Sequence, residues 1–156
     1  MEKTNAVRML ERMKLPHTVR HYQSDGALSG AAVAALLGVA PAQVFKTLVT
    51  VGKSGGHYVF MIPAEDELDL KKAAAAAAEK SVEMLKSKDL LPLTGYVCGG
   101  CSPLGMKKVF PTFVDESAEA LAQMMFSAGK IGVQIEATPQ VLAKAAQVRF
   151  VDLVKE

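Results

Sequence analysis

Two cysteines three positions apart, set among glycines, are the residues whose spacing most directly suggests chemistry. Cys98 and Cys101 form a CxxC motif, the spacing used by redox dithiols and by half of a structural zinc site. The surrounding segment, residues 95–105, also contains four glycines and Pro103. That composition is typical of a loop whose backbone turns sharply and approaches a ligand closely. The two interpretations predict different functions.

The rest of the sequence does not favour a zinc-binding or redox role for the two thiols. Zinc usually needs four ligands, and the three histidines do not form the paired spacing that would complete a site. A redox dithiol normally begins a helix, whose dipole lowers the thiol pKa, and the glycines after Cys98 disfavour a helix there. The simplest structural explanation is that Cys98 ends a strand over residues 95–98 as a small buried side chain. Cys101 would then lie in a loop whose backbone matters more than its thiol, and we expect no metal and no cofactor.

Lys46 is the second unusual position, because it interrupts the apolar, β-branched stretch of residues 45–51. Side chains alternate between the faces of a strand, so Lys46 shares a face with Leu48 and Thr50. The lysine either snorkels from a sheet edge or points its ammonium into a pocket. There it would hold a phosphate or a developing oxyanion. The sequence alone does not decide between the edge position and the pocket position of Lys46.

Helices and strands interleave along the chain, and four polar residues are placed to cap helices. The predicted helices cover residues 5–14, 30–37, 70–78, 87–91, 116–123 and 139–146, capped where a cap is evident by Thr4, Ser29, Asp69 and Thr138. The predicted strands cover residues 18–23, 45–51, 57–62, 95–98, 112–115, 124–127, 133–136 and 148–151, with turns at 24–26 and 128–132. Glycines at 52–56 make residues 45–62 a hairpin. The pattern predicts an α+β fold, with a mixed β-sheet flanked by helices in a single domain over residues 1–156.

The composition and charge of the chain exclude some classes of binding partner. The chain has 156 residues, half of them hydrophobic, and a net charge of +2, far from the basic balance of a protein that binds DNA over a broad face. Lysine pairs at 71–72, 86/88 and 107–108 are either solvated surface or local RNA contacts. The longest apolar stretch, residues 31–40, is too short for a membrane span. Residues 1–4 lead into a charged segment rather than an apolar one, so we expect no secretory signal and a cytoplasmic protein.

Four segments occur in an order that resembles a known family. They are Val44–Leu48, Asp69–Lys72, Gly99–Lys108 and Ser127–Gly132. The ordered set resembles the YbaK-type aminoacyl-tRNA deacylases, which are relatives of the editing insertion domain of bacterial prolyl-tRNA synthetase. The resemblance runs from about residue 6 to residue 152 and implies that family's partly barrel-like sheet.

The resemblance also implies a set of site residues. Lys46 corresponds to the functionally essential lysine, and residues 99–103 correspond to the family's GxxxP loop, with Gly99 assigned to catalysis. Gln134 stands where some members carry an acidic residue, which puts a required carboxylate there in doubt. The implied substrate-binding residues are Tyr22, Thr47, Gly100, Cys101, Ser102, Pro103, Ser127 and Gln134.

The implied function is a trans-acting enzyme that clears a mischarged amino acid, cysteine above all, from tRNA(Pro). Its partners would be an aminoacyl-tRNA and a prolyl-tRNA synthetase. No Ser-His-Asp set is recognisable. In this family the substrate's own thiol is thought to attack its ester carbonyl, so that the amino acid leaves the tRNA as a thiolactone. Two alternatives stay open: a deacylase of Ala-tRNA(Pro) or another small aminoacyl-tRNA that uses water, and a non-catalytic module that binds a nucleotide or tRNA.

Overall fold

Eight strands form two sheets in the structure, a computed structural model that describes residues 3–26 and 28–156. Met1, Glu2 and Ala27 lie outside the described residues. The strands are Thr18–His21 (β1), Phe45–Gly52 (β2), His57–Pro63 (β3), Val82–Met84 (β4), Thr112–Asp115 (β5), Met124–Lys130 (β6), Val133–Ala137 (β7) and Arg149–Val151 (β8). The α-helices are Asn5–Arg12 (α1), Gly30–Leu37 (α2), Leu70–Ala77 (α3), Ser87–Thr94 (α4) and Pro139–Ala146 (α5). Two short 3-10 helices cover Pro41–Gln43 and Glu116–Ala120.

The smaller sheet is antiparallel and the larger one is mixed. The smaller sheet has the order β1-β7-β6, and the larger has the order β4-β2-β3-β5-β8. In the larger sheet β2 pairs antiparallel with β3 and β4, whereas β5 pairs parallel with β3 and β8. The predicted α+β class and the hairpin are confirmed. The described strands divide into two sheets, where the sequence predicted a single mixed sheet, and they form no closed barrel.

The helix starts follow the capping residues that the sequence indicated. The side chains of Thr4, Ser29, Asp69 and Thr138 each accept a hydrogen bond from a backbone N–H in the first turn. Each cap satisfies a donor that a helix start leaves without an intrahelical partner. Gly38 ends α2 in the left-handed conformation (φ +70°), where glycine has no steric cost.

Several boundaries differ from the prediction. Strand β6 continues to Lys130 instead of ending at Ser127, with an irregular register between these two residues. This β-bulge absorbs the segment expected to be a turn. The short strand β4 was not predicted, and the helix expected at 116–123 is a 3-10 helix that ends at Ala120.

Three of the four groups of buried side chains hold helices α1, α2, α3 and α5 against the sheets. Helices α1 and α5 pack on the smaller sheet through Leu10, Phe126 and Leu142. Helix α3 packs on the larger sheet around Phe60 and Phe113. Helix α2 packs where the two sheets meet, which brings its N-terminus close to β2. No helix in the described ranges is long and apolar enough to cross a membrane.

Candidate active site

A cavity of about 320 Å³ opens where the two sheets separate. A parallel bridge between Val44 and Met125 joins the sheets, and Lys46, Thr47 and Ser127 follow it on either side of the cavity. The lining residues come from β2, β6, β7, the N-terminal end of α2 and the glycine loop. They are Tyr22, Leu28, Ser29, Gly30, Val33, Val44, Phe45, Lys46, Thr47, Leu48, Ala64, Cys98, Gly99, Cys101, Ser127 and Gln134.

Lys46 is half-buried at the cavity, in β2 opposite Ile62 of β3. Its ammonium makes no hydrogen bond or ion pair with any residue that the structure describes. No Asp or Glu is among the described lining residues, so Lys46 supplies the cavity's one formal side-chain charge at neutral pH. A cation held without a counterion at a cavity can bind an anion or a strong hydrogen-bond acceptor.

The glycine loop reaches the cavity because its backbone packs against the turn between β6 and β7. A Cβ added to Gly100 would lie 3.1 Å from the backbone nitrogen of Ile131, so only glycine fits without displacing that turn. Gly99 adopts a positive φ of +85°, a conformation that glycine adopts readily. Gly99 and Cys101 therefore border the cavity, while Gly100 anchors the loop behind them.

The loop amides are not equivalent. The N–H of Gly100 donates to the carbonyl of Val97 at 3.0 Å. The amides of Cys98, Gly99 and Cys101, in contrast, donate to no other described residue. All three residues line the cavity, so their N–H groups are loop donors that have no partner among the described residues.

The smaller sheet supplies Ser127 and Gln134, which lie directly opposite each other on β6 and β7. The hydroxyl of Ser127 accepts a hydrogen bond from the N–H of Gly129 at 3.1 Å. Across the cavity, Thr47 presents a buried hydroxyl. Oγ1 of Thr47 and Oε1 of Gln134 are the buried side-chain polar atoms that have no hydrogen-bond partner in the described structure.

Three of the expected substrate-binding residues do not line this cavity. Gly100 is buried against the β6–β7 turn. The hydroxyl of Ser102 is also buried and accepts from the N–H of Leu104 at 3.3 Å. Pro103 borders a separate cavity of about 430 Å³ on the far side of the loop. These residues shape the loop, and their neighbours Cys98, Gly99 and Cys101 line the cavity.

One wall of the cavity was missed in the sequence. Ser29, Gly30 and Val33 of the α2 N-terminal end line it, together with Ala64 after β3. A Cβ added to Gly30 would collide with the side chain of Ala64. Glycine in a first helical turn costs stability relative to alanine, so a glycine directly after the Ser29 cap was the signal of a close approach.

The structure corrects the expectation for the two cysteines. Residues 95–98 form no strand, because Gly95 ends α4 in the left-handed conformation at φ +88°. Cys98 is exposed and Cys101 is buried, the reverse of the expected order. Burial raises the pKa of the Cys101 thiol to about 12, whereas a redox-active thiol has a lowered pKa. Among the described residues no three His, Cys, Asp or Glu side chains are grouped to hold a metal ion.

Comparison with known proteins identifies the family. Residues 25–145 match the aminoacyl-tRNA editing domain. A proposed Cys-tRNA(Pro)/Cys-tRNA(Cys) deacylase of Enterococcus faecalis, EbsC, is 46% identical over 153 residues, which cover 97% of this chain and 93% of that protein. The chain belongs to the aminoacyl-tRNA editing domain family.

Similar proteins at lower identity include both a part of a larger protein and a separate chain. A proline–tRNA ligase of Acidithiobacillus ferrooxidans is 27% identical over 129 residues, which cover 83% of this chain and 22% of the ligase. The crystal structure of a proposed trans-editing enzyme for prolyl-tRNA synthetase superposes over the full length of both chains with a TM-score of 0.88 at 24% identity. This chain thus shares the fold of that structure over its full length.

Proposed function

We propose that this member of the editing family is a trans-acting deacylase that removes cysteine from mischarged tRNA(Pro). The observation that carries the proposal is the unpartnered ammonium of Lys46 in a cavity that is also lined by three loop residues whose amides have no described partner. The family match and the similarity to EbsC support an aminoacyl-tRNA as the substrate. The similarity to a proline–tRNA ligase supports tRNA(Pro) as the tRNA.

The cavity suits catalysis by positioning. An aminoacyl ester is already reactive, so orientation and stabilisation of the carbonyl oxygen supply much of the rate enhancement. Lys46 binds the phosphate or ribose of the terminal adenosine. The N–H groups of Gly99 and Cys101 donate to the carbonyl oxygen as negative charge develops on it.

The attacking group belongs to the substrate. The thiol of the esterified cysteine loses its proton and forms a C–S bond to its own carbonyl carbon. The C–O bond to the tRNA ribose then breaks, and the ribose oxygen takes up a proton. The products are a four-membered thiolactone and free tRNA, so no nucleophile from the protein is required.

The biological setting follows from this activity. The chain acts as one editing domain over its whole length and works in the cytoplasm, where mischarged tRNA forms. A prolyl-tRNA synthetase is the partner that would restrict the deacylase activity to one tRNA. The small cavity cannot do so itself, because it has room only for the aminoacyl end.

A panel of mischarged tRNAs tests the proposal. Cys-tRNA(Pro), Ala-tRNA(Pro) and Pro-tRNA(Pro) are incubated with catalytic amounts of the protein, and the remaining ester is measured over time. We expect rapid loss of the cysteinyl ester and little loss of the other two. Preferential hydrolysis of Ala-tRNA(Pro) would instead indicate attack by water. RNA binding without turnover of any ester would identify a non-catalytic module and refute the proposal.

A further inference from the structure

Two buried oxygen atoms beside the cavity have no partner within the described protein. They are Oε1 of Gln134, a residue with only 8% of its surface exposed, and Oγ1 of Thr47. Both residues line the cavity, Thr47 from the larger sheet and Gln134 from the smaller one. A buried acceptor without a donor is destabilising, and proteins retain few of them. These atoms indicate that a ligand supplies the missing donor.

The strands beside Gln134 do not supply that donor. Arg20 lies directly across from Gln134 on β1, but its guanidinium donates to Glu136 at 3.1 Å and to the carbonyl of Leu37 at 2.8 Å. Ser127 lies across from Gln134 on β6, yet no hydrogen bond joins the two side chains. The amide oxygen is thus left for the contents of the cavity.

We propose that Gln134, assisted by Thr47, binds the α-amino group of the esterified amino acid. This inference rests on the proposed function, and it names the part of the substrate that the two side chains position. An aminoacyl ester offers few donors near its carbonyl, and the α-amino group is the one that every aminoacyl-tRNA carries. The oxygen of Gln134 accepts an N–H from this group, which turns the ester carbonyl towards the loop amides.

A neutral amide suits this position. Lys46 already places a positive charge in the cavity, and no described carboxylate lines it. The amide oxygen accepts a hydrogen bond from the amine or the ammonium form alike, so recognition does not depend on an ion pair. Free tRNA, which has no α-amino group, leaves the two oxygens unpaired and binds less tightly than the substrate.

A pair of esters that differ only in the α-amino group tests the inference. Cys-tRNA(Pro) is compared with 3-mercaptopropionyl-tRNA(Pro), which keeps the thiol and the ester but has hydrogen in place of the amino group. For each ester, kcat/KM is divided by the rate without enzyme, which removes the difference in intrinsic reactivity. We expect the wild-type protein to prefer the cysteinyl ester by at least about tenfold, the effect of one buried hydrogen bond lost.

Three variants separate this role from a structural one. Gln134→Met is expected to reduce the preference to within about twofold, while its Tm stays equal to or above that of the wild type, because an unsatisfied acceptor is removed. Gln134→Glu keeps an acceptor and should retain the preference. Gln140→Met, at an exposed position of α5, is the matched control and should behave as the wild type.

The outcomes are distinguishable. Equal use of both esters by the wild type, or a preference unchanged in Gln134→Met, would overturn the inference while leaving the deacylase intact. Loss of folding in Gln134→Met would also overturn it, since the free protein would then need the amide. A wild-type protein that cleaves neither ester would refute the proposed function itself.

Discussion

At the scale of single residues, burial decides what the two cysteines can do. Their spacing suggested a dithiol, but spacing does not reveal how deeply each sulfur lies. Cys101 lies against Tyr96 and Val59 in a buried cluster, and burial raises the pKa of its thiol to about 12. Cys98 lies at the exposed rim of the cavity. The pair is therefore asymmetric, unlike an activated dithiol.

Thiol reactivity measures this asymmetry. With iodoacetamide at pH 8, we expect Cys98 to be modified in the folded protein and Cys101 to react at least about 100-fold more slowly, because a thiol with a pKa near 12 is almost entirely protonated. In denaturant both should react at similar rates. Mass spectrometry of the alkylated peptides gives each rate, and equally fast modification of both cysteines in the folded state would contradict the buried position of Cys101.

The residue types in the site were largely predictable, and their precise placement was not. Seven of the ten expected residues line the cavity, because the motifs that identify the family contain the residues around its pocket. Gly100 does not, because it packs against the β6–β7 turn. Ser102 bonds the N–H of Leu104 within the loop, and Pro103 borders a separate cavity. The burial of Cys101 and the free oxygen of Gln134 depend on neighbours that are distant in sequence.

At the scale of elements, the aromatic side chain of Tyr96 is one of the contacts that hold the loop of residues 95–105. The hydroxyl of Tyr96 donates to the carbonyl of Leu104 at 2.6 Å inside the loop. Its ring occupies the space beside Gly129 in the bulge of β6, where an added Cβ would lie 2.5 Å from it. Tyr96 thereby joins the loop to the strand that carries Ser127.

Removal of this hydroxyl should weaken the whole fold. In Tyr96→Phe the carbonyl of Leu104 loses a buried partner, and we expect the free energy of unfolding to fall by about 1–3 kcal/mol. Urea denaturation followed by circular dichroism measures the change. Tyr58→Phe is the control, since its hydroxyl bonds the Glu79 side chain near the hairpin turn and should matter less. An unchanged stability in Tyr96→Phe would show that the loop is held by other contacts.

Local signals predicted the elements better than their assembly. The caps and the β2–β3 hairpin depend on neighbouring residues, and each was evident in the sequence. The division of the strands into two sheets depends on pairings such as β3 with β5, which joins residues about fifty positions apart. The bulge in β6 lies against Tyr96, a contact between residues distant in sequence that the local glycines do not reveal, and those glycines suggested a turn instead.

At the scale of the whole molecule, the modest charge of +2 requires that any RNA contact be local. The lysine pairs differ in how free their ammonium groups are to contact RNA. The ammonium of Lys72 forms an ion pair with Asp152 at 2.9 Å and donates a hydrogen bond to the carbonyl of Val154. Lys107 and Lys108 are exposed and directly continue the loop that borders the cavity. The ammonium of Lys107 donates to the carbonyl of Pro92 at 3.4 Å, and Lys108 borders the cavity on the far side of the loop. We expect both lysines to contact tRNA phosphates outside the candidate active site.

Salt dependence tests this assignment. Binding of tRNA should weaken as salt concentration rises, with a slope that reflects the number of phosphates neutralised. In the double variant Lys107→Gln/Lys108→Gln, the slope of log K against log salt should become shallower by about one to two. Lys71→Gln on α3 is the control and should leave the slope unchanged. Binding that does not respond to salt would count against a tRNA substrate.

The central claim is that Lys46 and the loop backbone position a substrate that supplies its own thiol. The most direct measurement is the rate of Cys-tRNA(Pro) deacylation by two variants compared with the wild type. Lys46→Ala should fold normally, because Lys46 has no partner among the described residues, and should lose at least about 100-fold in rate. Cys98→Ser/Cys101→Ser should retain most of the activity. Comparable activity in Lys46→Ala, or complete loss in the double cysteine variant, would contradict the mechanism.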